Sequence, residues 1–285
     1  MDLFISKMNE VAKNIGMLNS NFKNPSGLTK KGQLSTSYDL SLLLLQASLN
    51  PIIVKIWKKE KHIVRILGDN TRKSEIKSTV YNKSLNNYYD ILGGKTGTVG
   101  FIKNLSVLLY AKDEIYLVTV LKAKGNRFHQ VKLIMDTVLD NKENNIDANS
   151  FTVFKYPLKN IELLKNFKPH SVFSKNESDK SNPASITKLL TLITALEYPI
   201  DLNDKIKIQE SDIVEDNMNN IYVGDIISLN DAMHFMLLSS SNILANSVAR
   251  YIEENYLSLL SAALRKNFGK GVKLWYSVME NKPAG

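Results

Sequence analysis

Asn182-Pro183-Ala184-Ser185-Ile186-Thr187-Lys188 opens the most pronounced helical signal in this 285-residue chain. Asn182 is a good N-cap, and Pro183 suits the first helical position, where an N–H would have no partner. Ser185 then falls in the first turn, its amide among those without an intrahelical acceptor. Lys188 follows one turn later, so hydroxyl and amine share a face. Behind them Ile186, Leu189, Leu190, Ile193 and Leu196 recur at helical spacing and are expected to bury the opposite side. A serine beside an amine, near free amides and a positive helix end, has what a nucleophile requires. Standing alone, the same residues read more economically as a helix cap and a solvated lysine, because Ser-x-x-Lys is a short pattern. The rest of the chain decides between the two.

The bulk properties are those of an ordinary globular protein. Hydrophobic residues make up 44% and charged residues 23%, enough for one large core or two smaller ones. There are no cysteines, which excludes disulfides, cysteine metal sites and thiol nucleophiles and leaves the compartment open. His62, His129, His170 and His234 are scattered, with no pair at ligand spacing on one helix, which argues against a metal site. The net charge of +9 and pI near 9.3 come from lysines dispersed among asparagines. That distribution is a solvated surface rather than a nucleic-acid footprint, and it suits an anionic envelope polymer. No apolar run reaches membrane-spanning length; the longest is residues 42–45. The N-terminus reads as a folded helix without the basic start and cleavage site of a signal peptide.

Working along the chain, residues 3–15 carry an apolar helical stripe stopped by Gly16. Asn24-Pro25-Ser26-Gly27 is a turn, a second helix begins near Ser37, and Pro51 opens a short helix through Trp57. Residues 62–67 are strand-like, and residues 105–111 and 115–122 form a hairpin about Lys112-Asp113-Glu114. Residues 127–139 are an amphipathic helix, 141–149 a polar linker and 151–156 a strand. Ser228 with Asp231 resembles a capping box for a helix over 229–238, and a further helix follows Asn242. Helices and strands without regular alternation predict an α+β or mixed sheet rather than a doubly wound one. Residues 256–285 have no assigned role.

Two further motifs carry chemistry. Gly94-Lys95-Thr96 matches the end of a phosphate loop, but Tyr89 stands where that loop needs glycine, and strand rather than helix follows. On a strand, Lys95 offers a fixed cation for a carboxylate and Thr96 a second donor. Gly97 removes a side chain where an extended substrate could lie alongside. Ser240-Ser241-Asn242 sits in a break between helices, where a hydroxyl could relay a proton and an amide could orient a lysine and a carbonyl.

Ser-x-x-Lys, Ser-x-Asn and Lys-Thr-Gly are together the three signatures of the penicillin-interacting serine hydrolases. The flanks PASITKLLTLITALE, GDIISLNDAMHFMLLSSSN, GMLNSNFKNPSGL and GGKTGTVG resemble the D-alanyl-D-alanine carboxypeptidases of serine peptidase family S11, as does GNRFHQVKLIMD, similar to that family's closing helix. The resemblance covers residues 3–140 and 171–252 and implies a β-lactamase/DD-peptidase-like fold, an antiparallel sheet flanked by helices plus an all-helical region. The order departs from the family. Lys-Thr-Gly comes first here, because residues 1–140 resemble the family's second half and residues 151–255 its first, across a linker at 141–150. This reads as a circular permutation into one catalytic domain, which is tolerated where termini lie close together. The alternative is the end of one copy joined to the start of another, with the site completed only in a swapped dimer.

The resemblance implies acyl transfer on peptidoglycan stem peptides ending in D-Ala-D-Ala. In that scheme Ser185 is the nucleophile. Lys188, held neutral by positive charge such as that of Lys95, is its base, and Ser240 passes a proton to the leaving amine. Asn242 orients Lys188 and the substrate, while Lys95, Thr96 and Thr98 hold the terminal carboxylate beside Gly97. The amides of Ser185 and Thr98 are the implied oxyanion donors. β-Lactams would trap Ser185; no metal or organic cofactor is needed, and no nucleic-acid partner is implied. A β-lactamase, or an inactive penicillin-binding relic, is the alternative reading. The resemblance implies an extracytoplasmic, cell-envelope setting.

Overall fold

The computed structural model describes residues 1–157, 169–216 and 220–258. Helix α1 (Asp2–Ile15) ends at Gly16, whose left-handed backbone returns N–H bonds to the last carbonyls. Helix α2 (Ser37–Ser48) starts where the Thr36 hydroxyl accepts from Asp39 N–H, and α3 (Pro51–Trp57) where Asn50 caps Ile52 and Ile53. The hairpin of β1 (Lys61–Ile66) and β2 (Arg72–Lys77) follows, then the short α4 (Lys83–Asn86). Strands β3 (Asp90–Val99), β4 (Ile102–Ala111) and β5 (Glu114–Ala123) form a meander, and α5 (Arg127–Asp140) is capped by Asn126.

Residues 141–147 carry no regular element. Beyond them lie β6 (Ala148–Pro157), β7 (Ser171–Lys175), a 3-10 turn (Ala184–Ile186) running into α6 (Thr187–Ala195), and the small pair β8 (Lys205–Lys207) and β9 (Ile226–Ser228). Helix α7 (Leu229–His234) widens into a π-helical turn (Phe235–Ser239), and α8 (Asn242–Ile252) follows the Ser241 cap. Ser228 Oγ accepts the Asp231 N–H at 3.1 Å, but Asp231 turns its carboxylate to His62, so the expected capping box gives up its return arm.

The fold is mixed α and β with antiparallel sheets, as a β-lactamase/DD-peptidase-like chain requires. Five strands pair antiparallel in the order β3-β4-β5-β6-β7, so strands from either side of the 141–147 segment share one sheet. Lys112 and Asp113 both take positive φ, 48° and 61°, which matches the turn twist to the β4–β5 hairpin. Alternate residues face opposite ways. Leu117, Leu121 and Phe154 join the core with α1, α2, α6 and α8, whereas Val118, Val120 and Val153 pack with Val131, Ile134 and Met135 of α5. Helices therefore cover both faces, which explains the near-continuous burial of β4 and β5.

Small polar residues let α2 sit close on the sheet: Ser41 Oγ donates to Thr119 Oγ1 at 2.9 Å, and Ser37 and Thr152 share a 2.8 Å bond. The Glu253 carboxylate caps α1, accepting from the Met1 ammonium and from Phe4 N–H at 2.8 Å. Among the described residues, no single helix is long and apolar enough to cross a membrane. The expectation of an unassigned tail falls, beyond residue 258, outside the described residues.

Candidate active site

The helix carrying Ser185 does not open as a simple α-turn. The Asn182 side chain accepts Ala184 N–H at 2.8 Å, Ala184 is held at φ 50°, and the next residues form a 3-10 turn before α6 begins. A left-handed alanine costs about 1–2 kcal/mol, so the surroundings must over-determine it. They do so from two sides. A Cβ on Gly27, itself at φ 87°, would lie 2.1 Å from the Ala184 carbonyl oxygen. A Cβ on Gly97 of β3 would lie 3.0 Å from the Pro183 carbonyl oxygen and 3.3 Å from the Ser185 nitrogen. Gly97 thus lets the strand press against the backbone that carries Ser185.

Lys188 is fully buried and donates three ways: to Ser185 Oγ at 2.9 Å, Asn242 Oδ1 at 2.6 Å and the Ser26 carbonyl at 2.7 Å. Burial lowers its pKa to about 7, against the opposing pull of the Asp216 carboxylate. Sequence reasoning placed the cause in the charge of Lys95; the structure places it in burial. Ser26 was legible only as part of a turn. That turn is built by Asn24, whose side chain accepts Gly27 N–H at 2.7 Å and donates to the Leu28 carbonyl at 2.8 Å. It is seated on α6 by Thr191, which donates to the Pro25 carbonyl at 2.7 Å.

On the other side, Lys95 of β3 is also fully buried. Its amine donates to Ser240 Oγ at 2.8 Å and to the Thr96 carbonyl at 3.0 Å. Burial first, then the positive charges of Lys188 and Arg127, push it well below the usual lysine range. Lys95 is therefore aimed at Ser240 rather than standing open as a cation. Ser240 holds a left-handed φ of 69° at the end of the π-helical turn, and Asn242 is oriented by donating to the Glu215 carbonyl at 2.7 Å. Asp216 fixes the same junction, accepting from Ser241 Oγ at 2.6 Å and Asn242 N–H at 2.8 Å.

Ser185, Ser240, Thr96 and Thr98 line a cleft of about 180 Å³ together with Thr79, Arg127 and Phe128. The last three were not singled out from sequence. Thr79 shares a 2.7 Å bond with Thr96, and Arg127 donates to Thr98 Oγ1 at 2.6 Å and to the Gly97 carbonyl at 2.7 Å. The guanidinium follows the Asn126 cap at the start of α5; a basic residue just inside a capped helix is unremarkable until the sheet places it beside the Lys-Thr-Gly strand. The structure thus draws Ser185, Lys188, Asn242, Lys95, Ser240, Thr96, Gly97 and Thr98 into one neighbourhood. A hydroxyl beside a depressed-pKa amine, opposite a second hydroxyl–amine pair, can exchange protons across the cleft.

Residues 1–124 match the family model described as D-alanyl-D-alanine carboxypeptidase, peptidase S11, and residues 153–265 match that of the β-lactamase enzyme family. Over those two stretches the chain resembles the S11 peptidases and the β-lactamase enzyme family, each match taking in less than half of it. It is 27% identical over 201 residues to the D-alanyl-D-alanine carboxypeptidase DacF of Bacillus subtilis (strain 168), an alignment covering 67% of this chain and 50% of that protein. The chain thus spans about half the length of the curated relative it matches. No solved structure matches it. The S11 match falls on the half bearing Lys-Thr-Gly, and the β-lactamase match on the half bearing Ser-x-x-Lys and Ser-x-Asn.

Proposed function

We propose that this chain is a serine-type D-alanyl-D-alanine carboxypeptidase that cleaves the terminal D-alanine of peptidoglycan stem peptides through an acyl-enzyme on Ser185. The observation that carries the reading is the contact of Ser185 Oγ with a buried Lys188 amine whose pKa lies near 7. At neutral pH a large share of that amine is unprotonated and can take the serine proton as Oγ attacks the carbonyl between the two D-alanines. The Ser185 and Thr98 amides are the proposed oxyanion donors, each typically worth about 3 kcal/mol. Collapse of the adduct expels D-alanine, whose amine receives its proton from Ser240, recharged through Lys95. The terminal carboxylate lies toward Thr96, Thr98 and Arg127. Water then releases the acyl group. A β-lactam enters the same sequence, but its opened ring retains the leaving amine, so the acyl-enzyme persists.

Ser185, Lys188, Lys95 and Ser240 belong to one polypeptide, and the reading is of a single catalytic domain in permuted order, acting as a monomer. The contact between Glu253 and the start of α1 supports that order, because the family's helix after Ser-x-Asn would lead into this helix. Activity confined to a dimer would instead favour swapped halves. The cell envelope is the setting in which such a substrate is met.

The β-lactamase-family match over residues 153–265 favours a second reading, hydrolysis of β-lactams. The two are separated by following D-alanine release from a D-Ala-D-Ala peptide beside hydrolysis of a chromogenic cephalosporin. The carboxypeptidase reading predicts D-alanine release abolished in Ser185→Ala, with slow or undetectable drug turnover. Rapid cephalosporin turnover without D-alanine release would overturn it in favour of the lactamase.

A further inference from the structure

The four histidines are far apart in sequence, yet two of them meet. His62, on β1, stacks on His234, at the end of α7, with ring centroids 4.0 Å apart and planes 25° from parallel. Asp231, one turn before His234, brings its Oδ1 to 3.1 Å from His62 Nε2. Ligand atoms of these three residues all lie within 4.8 Å of one another. None of the three lines the cleft around Ser185.

The hydrogen bonds assign the proton on each ring. A carboxylate only accepts, so His62 Nε2 carries the hydrogen it donates to Asp231. A carbonyl only accepts, so His234 Nδ1 carries the hydrogen it donates to Asn230 at 2.7 Å. That leaves a lone pair on His62 Nδ1 and another on His234 Nε2. Both nitrogens have the Lys59 ammonium within hydrogen-bond reach, at 3.3 Å and 2.9 Å respectively. Two imidazoles with their outer nitrogens anchored to a carboxylate and a carbonyl, and their inner nitrogens sharing one cation, resemble the way proteins hold metal-bound histidines. A lysine ammonium holds the position of the ion.

We propose that His62 Nδ1 and His234 Nε2 bind a divalent transition-metal ion of imidazole preference, such as Zn²⁺, Ni²⁺ or Co²⁺, in competition with the Lys59 ammonium. Imidazole nitrogen selects these ions over Ca²⁺ and Mg²⁺, which take oxygen. Asp231 acts through His62, fixing its tautomer and raising its basicity, and water completes the coordination. Lys59 lies just past the end of α3 and is half-buried, so its side chain can swing to solvent when the ion enters. The bound ion ties β1 to α7, whose π-helical continuation is capped by Ser240.

The test is a titration of the tag-free, full-length chain with CoCl2, followed by the visible absorption of the bound ion and by calorimetry with ZnCl2. It reads metal directly and is independent of whether Ser185 acylates. One ion per chain is expected. Lys59→Met, which removes the competing cation, should tighten binding by at least about tenfold. Asp231→Asn should weaken it by about 10–100-fold, the range for outer partners of metal-bound histidines. His62→Ala should abolish it, with circular dichroism showing a folded chain; His62→Gln serves if that variant does not fold. No binding to either the wild type or Lys59→Met would overturn the assignment, as would binding that survives the loss of His62 or is not tightened by the loss of Lys59.

Discussion

Lys95 and Ser240, 145 residues apart in the chain, meet through a 2.8 Å hydrogen bond from amine to hydroxyl. One comes from the third strand and the other from the break before the last described helix, so the bond exists only when both halves of the sequence are docked. If Ser240 relays the proton to the leaving amine, Ser240→Ala should lower the rate of Ser185 acylation by about 10²–10⁴-fold, the range for a positioned acid–base group. The melting temperature should move little, since Ser240 packs at a polar junction. An acylation rate within a factor of two of wild type would remove Ser240 from the mechanism.

The depressed pKa of Lys188 sets a pH dependence. If Lys188 is the base, only its neutral amine accepts the serine proton, so acylation should rise with pH through about 7 and then level. The sign follows from burial: it disfavours the charged amine, so the useful form persists to lower pH than for an exposed lysine. Stopped-flow acylation between pH 5 and 9 measures this directly. A midpoint above pH 9 would place the base elsewhere.

Gly27 tests how the backbone at Ser185 is supported. Alanine there would carry a left-handed φ and drive its methyl group to 2.1 Å from the Ala184 carbonyl oxygen. The backbone strain alone costs about 1–2 kcal/mol, and the clash adds to it. Gly27→Ala should therefore lower the melting temperature and depress acylation even in the fraction that folds. Wild-type values for both would show that the turn is not pressed against Ser185 in solution.

Away from the cleft, Arg250 pairs with a fully buried Asp212, its Nε and Nη2 each 2.9 Å from a carboxylate oxygen. Removing the guanidinium leaves that charge buried without its partner, typically a loss of about 3–5 kcal/mol. Arg250→Met should unfold at markedly lower denaturant concentration with an unchanged slope. A loss below about 1 kcal/mol would place the pair among weak surface bridges.

How much of this was legible in the sequence varies with the distance the information travels. Pro51 and Ser228 announced helix starts because a helix start is a local bargain between one residue and the next turn. The three short motifs were readable for the same reason, each being a few consecutive residues. What could not be read is set by tertiary contact. Nothing local says that Ala184 is left-handed, that the Ser26 carbonyl receives Lys188, or that Arg127 reaches Thr98. The lowered pKa of Lys188 comes chiefly from burial, which no spacing encodes. The meeting of His62 with His234 depends on β1 crossing α7, and histidine spacing along the chain was silent about it.

Acylation of Ser185 within one polypeptide is the step on which the proposed activity depends. The most direct measurement is intact-protein mass spectrometry of the monomeric fraction after incubation with benzylpenicillin, followed by peptide mapping. The prediction is a single adduct of one ring-opened penicillin on the peptide containing Ser185, absent in Ser185→Ala. An unmodified folded monomer, or an adduct that persists in Ser185→Ala, would contradict it.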